Sequence, residues 1–250
     1  MTATGIIPAR YASSRFPGKP LANILGKPMI QWVYERAIRA QRLDQVIVAT
    51  DDRRIYDAVK QFGGQVTMTS PEAANGTERV AEVARTLDCP LVVNLQGDEP
   101  TIEPAMIDQL VELMLANTDA VVGTLMRKIE QPADLMNPNI PKVVVDEDFN
   151  ALYFSRAAIP FFRDEPPGET WLTKADYYQH IGMYIYRRDF LMQLVAMPQS
   201  RLEQIEKLEQ LRVLENGYKI KVAVTKGRSF GVDIPEDIQK VETYLSGRMG

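Results

Sequence analysis

Three cations stand on one short segment near the start of the chain. They are Arg10, Arg15 and Lys19, in the run IPARYASSRFPGKPL from Ile7 to Leu21. Ser13, Ser14 and Gly18 lie between them, and Pro17 and Pro20 deny the segment a regular helix. A loop of small residues lets backbone N–H groups cradle oxygens while Arg and Lys neutralise charge, which is what a polyphosphate requires. Gly18 also permits a close backbone approach. On composition alone, a solvated loop with scattered charges accounts for the same residues. Two carboxylates are the second candidate. Asp98 in LQGDEP and Asp233 in GVDIPED each follow a short run expected to be a strand. If both strands are parallel and central, both side chains face one crevice beyond the strand ends. Two carboxylates plus phosphate oxygens there would suit magnesium, a hard ion that keeps few protein ligands. The alternative is that each is a helix N-cap, since Pro follows within two residues.

What the chain lacks narrows the chemistry. Gly18-Lys19 runs into Pro20 rather than Ser or Thr, so there is no Walker loop, and no spaced glycines follow the first apolar run. His180 is the only histidine, which excludes a His-rich metal site, and no serine sits in a nucleophile-elbow motif. The net charge of −4 argues against a general nucleic-acid binder, so an acidic substrate must be met by local cations or metal. Cys89 is the only cysteine; it rules out an intramolecular disulfide and reads as a buried structural thiol. The sequence shows neither a secretion signal nor a run long enough to span a bilayer, and the expectation is a soluble cytoplasmic protein.

An alternating fold must position these groups. Gly5 to Ile7 reads as a strand stopping at Pro8, Ile24-Leu25-Gly26-Lys27 as a turn, and Pro28 as the first residue of a helix. That helix carries Ile30, Val33, Tyr34, Ala37 and Ile38 at helical spacing. Val46 to Ala49 and Val66 to Met68 are expected strands around a helix with Ile55, Ala58, Val59 and Phe62. Strand–helix alternation predicts parallel strands with crossover helices. Leu91 to Leu95 is a further expected strand, closed by Gln96-Gly97-Asp98-Glu99-Pro100; Asp51 and Asp52 read as cap and turn residues. The second half is less regular. Lys142 to Val145 and Ala151 to Phe154 are expected to pair as a hairpin, Pro160 to Lys174 to form a long surface loop, and Ile181 to Tyr186 to be a strand. Leu202, Ile205, Leu208, Leu211 and Leu214 suggest one apolar helical face. The expectation is one α/β domain over residues 1–250, with a β-rich sub-lobe at roughly 120–191.

The motif order IPARYASSRFPGKPL, GKPMIQWV, VATDD, GTERVAEV, LQGDEP, LYFSRAAIP, HIGMYIY, LEQLRVLENG and GVDIPED resembles that of the 3-deoxy-manno-octulosonate (Kdo) cytidylyltransferase family over nearly the whole chain. The resemblance implies a Rossmann-like nucleotide-diphospho-sugar transferase fold, with a mixed, mostly parallel central sheet and flanking helices. It implies a magnesium-dependent transferase that couples Kdo to CTP, giving CMP-Kdo and pyrophosphate for lipopolysaccharide biosynthesis, in a cytoplasmic homodimer. Carried over residue by residue, it implies that Arg10, Arg15 and Lys19 hold the triphosphate. Ala9, Asn75, Gly76 and Arg79 would lie against the cytidine, with Gln96 near the reaction centre. Asp98 and Asp233 would hold the metal and, with Lys19, form the catalytic set. Arg156, His180, Tyr184, Glu209 and Gln210 would line the sugar pocket. Two departures stand out: Asn75 where the family has Ser, and Pro141 where an apolar residue is usual. A keto-acid sugar brings a carboxylate and several hydroxyls; on this reading Arg156 and His180 answer the first, and Glu209 and Gln210 the second. Other nucleotidyltransferases, a nucleotide-sensing module and a Rossmann dehydrogenase are the rival readings.

Overall fold

The computed structural model describes residues 2–12, 16–166 and 168–247. Its strands are β1 (Ala3–Ala9), β2 (Asn23–Ile24), β3 (Lys27–Pro28), β4 (Gln45–Thr50), β5 (Val66–Met68), β6 (Leu91–Asn94), β7 (Val122–Lys128), β8 (Lys142–Val145), β9 (Ala151–Ser155), β10 (Tyr178–Arg187) and β11 (Ile220–Val224). Its helices are α1 (Met29–Ala37), α2 (Arg53–Gln61), α3 (Gly76–Ala84), α4 (Pro104–Ala116), α5 (Pro132–Met136), α6 (Glu169–Lys174), α7 (Arg188–Ala196), α8 (Arg201–Glu206), α9 (Leu211–Glu215) and α10 (Asp237–Ser246), with a 3-10 turn at Lys19–Leu21. The chain divides into two compact units. One comprises Met1–Glu112, Ile185–Val195 and Gly227–Gly250; the other comprises Leu113–Tyr184 and Ala196–Lys226.

In the first unit the strand order is β6-β1-β4-β5. β1 pairs in parallel with β4 (Thr4 opposite Gln45) and with β6 (Ala3 opposite Leu91), and β4 pairs in parallel with β5. β1 is buried along nearly its whole length and β6 throughout, as befits parallel strands covered on both faces. Ile30, Val33 and Ala37 of α1 and Ile55 and Val59 of α2 are buried against this sheet's core. A smaller cluster joins Ile24 and Met29 to Val232, Val241 and Leu245, which seats α10. After β5 the chain returns through α3 to the far side of β1, so the strand order reverses between β1 and β6. Such a switch point opens a crevice beyond the carboxyl ends of the strands.

The second unit is mixed. β11 runs parallel to β7, β8 and β9 form an antiparallel hairpin, and β10 pairs antiparallel with β8 and neighbours β7. The hairpin turn is fixed by Asp146, whose carboxylate accepts from the backbone and side-chain nitrogens of Asn150 at 2.7 and 2.8 Å. Ile129, Leu135, Trp171 and Tyr177 form a satellite core in this unit.

Several sequence expectations shift. Pro28 ends β3 and caps α1, which opens at Met29; the preceding turn places Leu25 and Gly26 at φ 48 and 83, the primed hairpin geometry. The segment expected as a long surface loop contains α6, because Trp171 is buried and orders it. The apolar run from Leu202 to Leu214 is not one helix: Lys207 adopts φ 55 between α8 and α9, so Leu208 and Leu211 are buried while Ile205 is exposed. Among the described residues no strand runs into Asp233; the segment before it has no regular structure, and Val232 N–H donates to the Asp98 carbonyl at 2.9 Å. The second unit begins before the expected sub-lobe, stops at Tyr184 and adds residues 196–226.

Candidate active site

At the switch point of the first unit lies a cavity of about 320 Å³. Pro8, Ala9 and Arg10 at the end of β1 form one wall, and Gln96, Gly97 and Asp98 beyond β6 form another. Ala73 to Gly76 and Arg79 supply a third, and Lys19, Pro20 and Asp233 complete the lining. Every residue expected to bind nucleotide is therefore in one place, apart from Arg15, which lies outside the described residues. Backbone proximity explains two of the glycines. A Cβ on Gly97 would stand 2.7 Å from the Pro8 carbonyl oxygen, so only glycine lets the β6 turn close onto β1. Gly18 at φ 73 lies against the Tyr11 ring and starts the turn that carries Lys19.

The Asn75 side chain caps α3, accepting from Glu78 N–H at 2.9 Å, while Glu78 accepts from Ala74 N–H at 2.8 Å. Asn thus performs the capping that Ser would perform at this position. Arg79 is almost fully buried. It donates to Asp51 at 3.0 Å, to the Ser70 carbonyl at 3.3 Å and to the Thr69 hydroxyl. Asp51 is thus the counter-ion of a buried arginine and not a cap, whereas Asp52 does cap α2.

Lys19 Nζ donates to Asp98 Oδ2 at 2.5 Å and to the Val232 carbonyl at 2.8 Å. Two of its three N–H groups are so engaged, and this pair ties the phosphate-type loop to both aspartate-bearing segments. Sequence reading did not single out Glu99 beside them. Loss of solvation pushes its carboxyl above the usual carboxylate range, and the charges of Asp98 and Asp233 push the same way. Asp98 and Asp233 both line the cavity, and their negative charge favours a cation there. Among the described residues no group of three or more His, Cys, Asp or Glu side chains has metal-holding geometry. Two aspartates on a polar cavity fit magnesium only in the way that ion prefers, with water and phosphate oxygens filling the other positions.

The five residues expected to meet the sugar all belong to the second unit. Arg156 points its guanidinium at backbone: Nε donates to the Glu206 carbonyl at 2.6 Å, Nη1 to Pro138 at 3.0 Å and Nη2 to Lys207 at 3.3 Å. Glu206 in turn accepts from the Ser155 hydroxyl at 2.7 Å and from Arg156 N–H at 3.0 Å. The arginine thus clamps the left-handed turn that leads into Glu209 and Gln210. Gln210 is buried, and among the described residues its Nε2 has no acceptor. A buried amide donor of this kind calls for a ligand or water partner. Arg212 makes a two-pronged ion pair with Glu203 at 2.8 and 2.6 Å, both residues buried.

His180 is buried, its ring edge-on to Phe154 at 4.9 Å and tilted against Tyr184 at 5.3 Å. Its backbone N–H donates to the Pro141 carbonyl at 2.8 Å, so the proline departure keeps a useful acceptor. Burial lowers the imidazole pKa to about 3, so at neutral pH the ring is uncharged and can serve only through a neutral N–H donor or a lone pair. Its ring nitrogen Nε2 lies 3.0 Å from the Thr124 hydroxyl, a partner no local motif marks.

Residues 4–220 match a protein family described as cytidylyltransferase. A 3-deoxy-manno-octulosonate cytidylyltransferase of Geobacter metallireducens is 52% identical over 250 residues, 98% of this chain and 98% of that protein. The protein of the same name from Geotalea uraniireducens is 53% identical over 96% of this chain and 98% of its own length. A solved structure of CMP:2-keto-3-deoxy-manno-octonic acid synthetase complexed with CTP has a TM-score of 0.92 at 42% identity, covering 99% of this chain and 100% of that one. A 4-diphosphocytidyl-2C-methyl-D-erythritol synthase from Anaerococcus prevotii, at TM-score 0.63 and 13% identity, shares the fold alone. With relatives above 50% identity along nearly its full length and a crevice where open α/β sheets bind ligands, the chain belongs to the 3-deoxy-manno-octulosonate cytidylyltransferase family.

Proposed function

We propose that this chain couples CTP to 3-deoxy-manno-octulosonate, releasing pyrophosphate and forming CMP-Kdo. The observation that carries the reading is the switch-point cavity of the first unit, where Lys19, Asp98 and Asp233 meet beside Gln96 and the capped start of α3. A relative of the same fold at 42% identity was solved with CTP bound. The anomeric hydroxyl of the sugar attacks the α-phosphorus, and the bond to the β-phosphate oxygen breaks. The work left to the protein is positioning and charge stabilisation. Arg10 and the free N–H of Lys19 face phosphate oxygens, and Asn75, Gly76 and Arg79 shape the wall for the base. Gln210 Nε2 and the sugar-side residues of the second unit orient the keto acid. Asp98 and Asp233 would hold Mg²⁺, which when bound supplies a Lewis acid for phosphate oxygens.

The family resemblance further supports a homodimer working in the cytoplasm, where CTP is made, at a step that supplies lipopolysaccharide assembly. Among the described residues no helix is long and apolar enough to cross a membrane. Pyrophosphate release should occur with Kdo and CTP, require a divalent cation, and be absent with hexose-1-phosphates, whose attacking oxygen is already ionised. Efficient turnover of a hexose-1-phosphate would overturn the substrate assignment. Sedimentation at micromolar protein tests the dimer.

A further inference from the structure

Thr124 lies on β7 with no exposed surface. Among the described residues its Oγ1 has three polar neighbours, all in the second unit: His180 Nε2 at 3.0 Å, the Met183 carbonyl at 2.8 Å and the Ile181 carbonyl at 3.1 Å. A hydroxyl has one proton to give and lone pairs to accept with. Carbonyl oxygens can only accept. If the proton went to His180, Oγ1 would face two carbonyl oxygens at 2.8 and 3.1 Å with no hydrogen between them, in a place where water cannot relieve the repulsion. The proton therefore belongs on a carbonyl, with Met183 the nearer, and an Oγ1 lone pair is left facing Nε2. That nitrogen must then carry the ring hydrogen.

We infer that Thr124 is a positioning residue that locks His180 as the Nε2–H tautomer, so that Nδ1 offers a lone pair to a hydroxyl of the sugar. The second half of this statement rests on the proposed sugar site; the first half does not. The ring is further held by Phe154 and Tyr184 on its faces and edges. Burial keeps it neutral, so neither nitrogen supplies positive charge. An acceptor at Nδ1 favours a hydroxyl and disfavours a carboxylate oxygen, which has no hydrogen to give. His180 would thus help to orient the sugar by rejecting the wrong end of it, leaving the carboxylate to donors such as Gln210 Nε2.

His180 is the only histidine, so a long-range ¹H–¹⁵N correlation spectrum of the imidazole holds one ring and needs no assignment. In the intact protein at pH 7 the expected pattern is a protonated Nε2 and an unprotonated Nδ1, with no ligand added. An Nδ1–H pattern, or a doubly protonated ring, overturns the lock. Saturation with Kdo should move the Nδ1 resonance as it accepts a hydrogen bond. If Kdo and CTP release pyrophosphate but Nδ1 does not move, the acceptor role falls while the catalytic reading stands. If Nε2–H is seen but Kdo supports no turnover, the lock stands and the sugar assignment fails. Thr124→Val keeps the shape and removes the hydroxyl. It should mix the tautomer pattern and raise KM for Kdo roughly 5- to 20-fold, as loss of one buried hydrogen bond implies, with KM for CTP unchanged. Thr124→Ser should restore both readings, and serves as the deciding variant if Val impairs folding. Wild-type KM for Kdo together with an unmixed tautomer in Thr124→Val overturns the proposal.

Discussion

The candidate residues of the first unit and those of the second are built from different materials. In the first unit the groups that matter are charged, half-open and placed by main chain: Arg10 follows the last residue of β1, Asp98 follows β6, and Gly97 allows the two to meet. In the second unit they are buried, neutral or already engaged: His180 against Thr124, Arg156 on three carbonyls, Gln210 with an unanswered amide. A triphosphate is bound by field, and field tolerates modest displacement. A sugar's hydroxyls are sorted by direction, and direction requires that each donor and acceptor be held from behind. Substitutions in the first unit should therefore chiefly remove chemistry, and those in the second should chiefly loosen geometry and stability.

The largest effect is expected at the carboxylates. Asp98→Ala and Asp233→Ala should each lower kcat by about 10²–10³, the usual loss when a key electrostatic stabiliser goes, or about 2.7–4 kcal/mol of barrier. Asp98→Ala also frees Lys19 from its 2.5 Å partner, so this variant should bind CTP no more weakly than wild type while turning it over poorly. Calorimetry beside pyrophosphate release separates the two. Near-normal turnover in saturating magnesium for either variant would remove that aspartate from the chemistry.

Arg156→Ala should behave in the opposite way. Three donor–carbonyl contacts vanish, two of them on the turn at Glu206 and Lys207. Hydrogen bonds from a charged donor contribute about 1.5–3 kcal/mol when buried and less when partly exposed, so an overall loss of about 2–3 kcal/mol in urea unfolding is expected. KM for Kdo should rise and CTP binding should persist. Arg156→Lys should fail to rescue, because an ammonium cannot span three carbonyls with a planar fork. A variant with unchanged stability and only a sugar defect would show that Arg156 acts on the ligand and not on the turn.

The same contrast decided what could be read in advance. β1, β4 and β6 are legible because strands buried on both faces leave unbroken apolar runs, and Asp98 follows from them as the residue past a strand end. Asp233 is less legible: it is brought in by the Val232 to Asp98 hydrogen bond, not by a strand of its own. α6 is hidden because Pro166 and Gly168 signal a turn, while the burial of Trp171 that stabilises the helix is a tertiary fact. Thr124 and His180 are 56 positions apart, and Arg156 and Glu206 are 50 apart. No local period or spacing joins such pairs, and a threonine inside an apolar strand looks like any other β-branched residue.

His180 offers a test through pH. An unfolded histidine takes up a proton near pH 6.5, whereas in the folded chain burial delays this to about 3. Between these values the unfolded state binds more protons, so stability rises with pH and falls as the solution is acidified. At pH 5 the loss relative to neutral pH from this one group is about 2 kcal/mol, at 1.36 kcal/mol for each unit of difference. Asp44 and Asp52, held below the usual range by hydrogen bonds to backbone and to Arg54 respectively, add acid sensitivity only nearer pH 4. Glu99, whose carboxyl pKa is raised in the fold, contributes with the opposite sign in both proteins, so the drop in unfolding free energy from pH 7 to 5 should be about 2 kcal/mol larger in wild type than in His180→Asn. An equal drop in both would mean that the imidazole is open to protonation, and the rigid, neutral picture of the second unit would fail with it.

The smallest expected effect concerns Asn75, the departure from the family's serine. In the structure its Oδ1 closes the first turn of α3 at the cavity wall, while Glu78 closes the reverse contact to Ala74. Asn and Ser rank together as N-caps, and replacing either by Ala typically costs about 1 kcal/mol. Asn75→Ser should then change stability by less than about 0.5 kcal/mol, and Asn75→Ala should lower it by about 1 kcal/mol. If the cap is the residue's whole task, KM for CTP should track stability: unchanged in Ser, modestly raised in Ala as the α3 terminus frays. If instead the amide contacts the base directly, KM for CTP no longer tracks stability. Ser would keep stability yet raise KM for CTP, because its hydroxyl is too short to replace an amide at the same distance. Paired unfolding curves and CTP titrations of the two variants separate placement by main chain, the property assigned above to the first unit, from direct recognition by a side chain.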